Sequence, residues 1–255
     1  MTTFEGYPRS HGPPGARNYV AVIPVSVATA PIADEIAAQG GAQIRSTPHQ
    51  MGGDPPAAAR KQIFRTLAGV GTNPNVGASL IIGLGTEAIG LDELADAVAV
   101  GERRVETISV RETGGTIATV TSGTEIADSL WQSIRTIERT SCDASQLRFG
   151  VECGGSDATS GIAANPAVGA ACDQLVGDGG TATFSETPEF IGAEHILTDR
   201  CDSQSVRDRL LERVNSREAA AELMGVDMRG AQPTPGNQEG GLTTIEEKSL
   251  GAISK

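Results

Sequence analysis

Three polar runs in the C-terminal half carry the side chains that could do chemistry. They are Cys153-Gly154-Gly155-Ser156-Asp157, Ser185 to Glu189 with Gly192 to His195, and Pro235-Gly236-Asn237 leading into Gly240 to Lys248. Glycines and ionisable groups bury little apolar surface, so runs this dense are not there to build a core. Gly154 and Gly155 would let backbone N–H groups come close to an anion, and Ser156 and Asp157 could bind hydroxyls or a cation. The same run also fits a tight turn that caps the next helix. Glu186, Glu189, Glu194 and His195 lie within ten residues around Pro188. Ionisable groups so close shift one another's pKa values, which suits acid–base work or metal binding, although acids also favour helix N-termini for their own sake. Gly240-Gly241 before a threonine-capped helix offers free N–H groups and a helix dipole to a carboxylate or phosphate, with Lys248 about one turn further on. GxxxxGK[ST] is absent, so this is no P-loop, and an ordinary helix cap would look the same.

These residues need elements to hold them, and alternating apolar runs and helical patterns recur along the chain. Strands are expected at 18–27, 78–85, 105–111, 147–153 and 181–185, and helices at 32–38, 91–98, 116–135 and 165–177. That order implies parallel strands joined by crossover helices, a layered, Rossmann-like α/β fold of mostly parallel sheet, with an N-terminal half at 1–140 and a C-terminal half at 141–255. Residues 203–224 read as a helix with Val206, Leu210, Leu211, Val214 and Leu223 at helical spacing and Gly225 as its stop. Residues 230–241 read as a long loop, after which Thr243 or Thr244 starts a helix with a Thr-x-x-Glu capping box. In open α/β sheets ligands bind where strands become loops. Glu87, Arg111-Glu112, the 153–157 run and the 185–189 run all fall at such ends, which predicts one shared cleft.

The net charge of −12 includes only three lysines, Lys61, Lys248 and Lys255. A surface so acidic repels nucleic acid and anionic membrane, and it is the surface a salt-rich cytosol favours. The expected source is therefore halophilic. No apolar stretch approaches a membrane span and the start lacks a signal core, so the expected address is the cytoplasm. Cys142, Cys153, Cys172 and Cys201 form no CxxC pair, so neither a zinc ribbon nor a disulfide framework is signalled.

Gly6-Tyr7-Pro8-Arg9, Gly15 to Tyr19, Pro74 to Ala78, Gly83-Leu84-Gly85, Glu112 to Thr116, Cys153 to Asp157, Ser160 to Pro166, Ser185 to Glu189, Gly192 to His195 and Pro235 to Lys255 together resemble the altronate/galactarate dehydratase family, nearly end to end. The resemblance implies a lyase of sugar-acid catabolism that removes water from an aldonate or aldarate to give a 2-keto-3-deoxy acid, with a divalent metal such as iron, magnesium or manganese. Its small-molecule substrate would be a sugar acid and the assembly an oligomer. In that setting Glu186, Glu189, His195 and Asp157 are the expected catalytic residues. Gly154, Gly155, Ser156, Asn165, Asn237, Thr243, Thr244 and Lys248 would bind substrate, and Cys153 and Glu87 would bind metal.

The chain departs from the family pattern at particular places. Ala28, Met51 and Thr86 stand where the family typically has cysteines, and His11-Gly12-Pro13 replaces its Asp-Gly-Arg. Joint loss of three thiolates suggests that they form one soft-metal or iron–sulfur site, which this chain then lacks. The family's small N-terminal SAF-type domain is also missing, and the sequence ends inside a motif that normally runs on. A small partner subunit is accordingly expected. Three readings follow: a sugar-acid dehydratase, a hydrolase of a C–C bond in a 2,4-diketo-3-deoxy sugar acid, and a non-catalytic large subunit of a split enzyme.

Overall fold

In the strand Tyr19–Pro24, consecutive residues alternate sides yet all are buried after the first, the mark of a parallel strand covered on both faces. A computed structural model, which describes residues 2–255, shows how. The chain forms two units, residues 3–142 and residues 143–255 together with Thr2.

The N-terminal unit comprises β1 (Thr3–Gly6), β2 (Tyr19–Pro24), α1 (Ala30–Gln39), β3 (Ile44–Ser46), α2 (Ala57–Gly71), β4 (Val76–Gly83), α3 (Leu91–Val98), β5 (Arg104–Ser109), the single turn α4 (Val110–Thr113), α5 (Thr116–Ile134) and β6 (Thr140–Asp143). Its main sheet has the order β3-β2-β4-β5 with every pair parallel, and β1 and β6 form a separate two-stranded sheet. Val20, Val22, Leu80 and Ile82 face α1 and α5 through Ile32, Ile36, Ala127 and Leu130. Their neighbours Ala21, Ile23 and Ile81 face α2 and α3 through Ile63, Leu67, Leu94 and Val98. Each fully buried aliphatic side chain of this kind contributes about 1.5–3 kcal/mol, and the two apolar layers lock the register of the sheet. The fold is thus α/β with a parallel sheet and crossover helices, as the element order predicted. The expected elements missed β3, too short to show a period, and α2, whose Ile63, Leu67 and Gly71 at four-residue spacing did mark a buried face.

The chain leaves β2 towards β3 on one side and returns to β4 on the other, which makes the carboxyl ends of β2 and β4 the topological switch point. Glu87 sits there. Its Oε1 accepts from the Leu84 N–H (2.7 Å) and the Ser26 hydroxyl (3.2 Å), and its Oε2 from the Gly85 (3.0 Å) and Thr86 (3.2 Å) N–H groups. Partial burial pushes this carboxyl up and is the largest single influence. The N–H groups of Leu84, Glu87, Thr86 and Gly85 together outweigh it and hold the group below the ordinary carboxylate range. A depressed folded-state pKa gives stability that is present above the unfolded value and lost as pH falls through the folded one. Glu87→Gln should therefore be less stable than the parent in urea titrations at pH 7, and the gap should close once the pH is well below 4.5, the ordinary value. A gap that persists in acid would assign the effect to packing instead.

The C-terminal unit comprises β7 (Arg148–Val151), a π-helical turn (Ser160–Ala164), α6 (Asn165–Gly177), β8 (Thr181–Phe184), a 3-10 turn (Thr187–Phe190), α7 (Glu194–Asp199), α8 (Gln204–Leu223), α9 (Pro235–Glu239) and α10 (Ile245–Ala252). β7 and β8 pair in parallel across the α6 crossover. A small core of Phe190, Ile191, Ala193, Val214, Ile245 and Ile253 ties α10 to the 190s, and the buried Ser249 hydroxyl donates to the Ile191 carbonyl (2.6 Å). The chain passes so close to α6 that a Cβ on Gly169 would lie 2.0 Å from the Ser254 carbonyl oxygen. Two expectations need correction. The α8 helix forms, but of its apolar stripe only Val214 is buried, while Val206 and Leu223 are exposed. The expected loop at 230–241 contains α9, which starts at Pro235, a residue whose fixed φ suits a first helical turn.

Candidate functional site

The 153–157 run leaves β7 and turns back on itself at Asp157. One oxygen of Asp157 accepts from the Thr159 hydroxyl (2.6 Å) and from the Ser160 N–H (3.0 Å), while its own N–H donates to the Ser160 hydroxyl (3.1 Å). The Thr159 hydroxyl, then the Ser160 N–H, hold this carboxyl below its usual range. Asp157 therefore shapes the turn and enters the chemistry, if at all, as a carboxylate. Behind it the 158 N–H donates to the Gly240 carbonyl (2.9 Å), and Asn237 donates to the Ser156 carbonyl (2.9 Å), so the first and third polar runs are joined.

Together they enclose a cavity of about 480 Å³. Of the residues singled out from the sequence, Cys153, Gly154, Gly155, Ser156, Asp157, Asn165, Glu189 and Lys248 line it, and Lys255 and Glu247 join them. Two of the chain's three lysines thus face one cavity in a protein of net charge −12. Lys248 donates to the amide oxygens of Asn237 (3.2 Å) and Gln232 (3.3 Å). Among the described residues it makes no ion pair. Lys255 donates to Glu189 at 2.5 Å, and each side chain of this pair is only 7% exposed.

The second polar run supplies a cluster. The Cys153 sulfur and carboxylate oxygens of Glu186 and Glu189 all lie within 4.8 Å of one another. One thiolate and two carboxylates fit a single divalent ion with positions left over for water or substrate. A thiolate suits iron, zinc or manganese better than magnesium, which prefers all-oxygen octahedra. They do not fit an iron–sulfur cluster, which needs several thiolates. Ala28, Met51 and Thr86 offer none, and they sit round the switch point of the other unit: the Val27 N–H donates to the Met51 carbonyl (2.8 Å), and Thr86 N–H to Glu87. Glu87 belongs to that unit too, with Glu112 beside it along a smaller cavity, and the Cys153 cluster does not include it.

Glu186 carries a further mark. Its φ of +63° is the only left-handed value among the described non-glycine residues. That conformation costs about 1 kcal/mol or more and persists where the surroundings over-determine it, often at ligand-binding sites. Glu186→Gly should relieve the strain and raise stability by about 0.5–1 kcal/mol while weakening zinc or manganese binding at least tenfold. A variant that is less stable, with unaltered metal affinity, would place the carboxylate outside the site.

Other candidates lie apart from the cavity. His195 is exposed on α7 and does not line it, and Glu194 pairs with Arg229 (3.2 Å), which also holds Glu218 (2.7 Å). Thr244 caps α10 by accepting from the Glu247 N–H (3.1 Å), and the Glu247 carboxylate turns back to the N–H (2.7 Å) and hydroxyl (2.6 Å) of Thr243. Both threonines are thus engaged in a capping box, and the helix end that was expected to attract a carboxylate already holds one. The sequence reading missed Lys255 and Gln232. Neither stands in a pattern that singles it out, although the scarcity of lysine was a usable signal for the first.

Residues 6–135 match the profile described as D-galactarate dehydratase/Altronate hydrolase, second domain, and residues 144–255 match D-galactarate/Altronate dehydratase, C-terminal. The chain is 38% identical over 257 residues to the (2R)-sulfolactate sulfo-lyase subunit beta of Chromohalobacter salexigens, covering 99% of this chain and 64% of that protein. It is 38% identical over 200 residues to the galactarate dehydratase (L-threo-forming) of Escherichia coli, covering 75% of this chain and 38% of that one. With the altronate dehydratase of Bacillus subtilis it shares 29% over 266 residues, 99% of this chain and 52% of the relative. The chain therefore spans less than two thirds of the length of these curated relatives. No helix among the described residues is long and apolar enough to cross a membrane. With one family profile over its N-terminal half and its companion over the rest, this chain belongs to the D-galactarate/altronate dehydratase family.

Proposed function

We propose that this chain carries the reaction cavity of a β-elimination lyase for hydroxylated carboxylic acids, acting as a hydro-lyase on an aldonate or aldarate. The observation that carries this reading is one cavity of about 480 Å³ lined by two lysines together with Cys153 and Glu189, two members of the cluster that Glu186 completes. Lys255 is matched by Glu189, whereas Lys248 is held only by neutral amides and so suits an anionic substrate.

Lys248 holds the substrate carboxylate, with Gly154, Gly155, Ser156 and Asn165 along the hydroxylated chain. Glu189 takes the proton from the carbon next to the carboxylate, with the Lys255 ammonium as its buried counter-charge, and as the carboxylic acid so formed it then gives that proton to the departing hydroxyl. The C3–O bond breaks, hydroxide leaves as water with that proton, and the enol left behind becomes the 2-keto-3-deoxy acid. A divalent ion held by Cys153 and Glu186, beside Glu189, would supply Lewis-acid stabilisation of the negative charge. His195, exposed and off the cavity, has no part in this scheme.

A second reading changes the leaving group. The relative named a sulfo-lyase subunit aligns with 99% of this chain, and loss of sulfite from the carbon β to the carboxylate uses the same proton abstraction and the same carboxylate grip. Its name as a subunit also supports a partner subunit here. The deciding experiment incubates the protein, alone and with any small subunit encoded beside it, with aldonates, aldarates, 3-sulfolactate and 2,4-diketo-3-deoxy acids, and reads products by mass spectrometry with and without chelator. A product lighter by one water supports the hydro-lyase, and sulfite release supports the second reading. Two carbon fragments would instead mean C–C hydrolysis, and no product under any condition would overturn the catalytic assignment.

A further inference from the structure

At the opposite edge of the N-terminal sheet from the switch point, the amino ends of β4 and β5 border a cavity of about 560 Å³ lined by Arg9, His11, Glu102, Arg103, Arg104 and Ser133. Arg9 and Arg103 clasp the turn between α2 and β4. Arg9 donates to the carbonyls of Pro74 (2.7 Å) and Arg17 (3.1 Å) and to the Asn18 side-chain oxygen (3.0 Å). Arg103 donates to the carbonyls of Gly71 (2.9 Å), Thr72 (3.3 Å), Asn73 (3.3 Å) and Val76. Every one of these partners is neutral. Among the described residues neither arginine pairs with a carboxylate, and the Arg103 Nε is buried with no hydrogen-bond partner at all.

Two guanidinium groups on one cavity wall repel. Burial, and then the charge of Arg103, bring Arg9 down to about 10. Carbonyls at the end of α2 offset part of the charge at Arg103, but in a chain of net charge −12 a pair of half-buried cations without a carboxylate is a place prepared for an anion from outside. The guanidinium fork matches the planar oxygens of a carboxylate or phosphate, and the cavity has the volume of a small-molecule site. The only carboxylate on its lining is that of Glu102, and Arg104 is held by Glu106 at 3.3 Å.

We infer that this cavity is an oxyanion-binding site, in which a small molecule bearing a carboxylate or phosphate group sits against Arg9 and Arg103. The site is independent of the reaction proposed for the C-terminal cavity. Calorimetric titration of the full chain at fixed ionic strength, with inorganic phosphate in one arm and succinate in the other, tests it on a Lys248→Met background that weakens anion binding in the C-terminal cavity. Saturable binding is expected, weakened at least tenfold by Arg9→Gln and restored in part by Arg9→Lys. Because Arg9 also holds its turn, Glu102→Gln provides a test that leaves the clasp intact, and loss of the competing carboxylate should tighten binding about threefold or more. Response to one anion alone would name the ligand class within the same site. Binding that is absent on the Lys248→Met background, or indifferent to both Arg9 and Glu102, would reduce the two arginines to clamps of the turn.

Discussion

Glu189→Gln should lower kcat by about 10²–10⁴-fold, the usual worth of a positioned general base, and should also destabilise the protein. The second effect follows from Lys255, which the change leaves buried without its counter-charge. Breaking a buried pair from one side costs about 3–5 kcal/mol. The two effects separate in the double variant Glu189→Gln with Lys255→Met, which removes both charges. Its stability should return close to the parent's, since replacing both members of a buried pair by neutral groups of similar shape is nearly neutral, while turnover should stay lost. Urea titration and initial rates on the same preparations give both readouts. If the double variant turned over within tenfold of the parent, Glu189 would be a structural carboxylate and the base would have to be sought elsewhere on the cavity. If Glu189→Gln lost activity only through unfolding, the double variant would regain it.

Much of this arrangement could be read before any coordinates, and for identifiable reasons. Fully buried strands such as Val20 to Ile23 announce a two-faced parallel sheet because both sides of the pleat are apolar. The helices at 91–98 and 165–177 have the bounds expected from their patterns. The 153–157 run was marked by its glycines, and all five of its residues line the cavity. What could not be read are relations between distant positions. Nothing local says that Lys255 reaches back 66 residues to Glu189, or that Glu186 takes a left-handed backbone that sets its carboxylate beside Cys153. Proximity in sequence also misled. His195 is six residues from Glu189, yet the turn at Gly192 carries it out to solvent, whereas Lys255 comes in. Thr243 and Thr244 were legible twice over, as a cap and as an anion pocket. Glu247 decides between these, since its carboxylate takes the place an incoming anion would need.

Lys248 offers the sharpest test of what the cavity is for. Its ammonium has three N–H donors, and two of them hold Asn237 and Gln232, so one direction is left for a ligand. Lys248→Met keeps the aliphatic stem, and loses a charge-assisted hydrogen bond that is partly shielded from water, worth about 2–4 kcal/mol. The expected result is a loss of about 30- to 1,000-fold in kcat/KM. How that loss divides is informative. If Lys248 only holds the carboxylate, ground state and transition state are affected alike and the change appears in KM. When the proton leaves the neighbouring carbon, negative charge builds on that same carboxylate, so a lysine that touches it binds the transition state more tightly and kcat falls as well. Lys248→Arg should not rescue fully, because a planar fork cannot occupy the position of a point charge between two amides. Were this chain a non-catalytic partner in a split enzyme, assembled enzyme carrying Lys248→Met would keep both constants. A fall in kcat that exceeds the rise in KM would instead place the developing charge of the reaction within hydrogen-bond reach of Lys248.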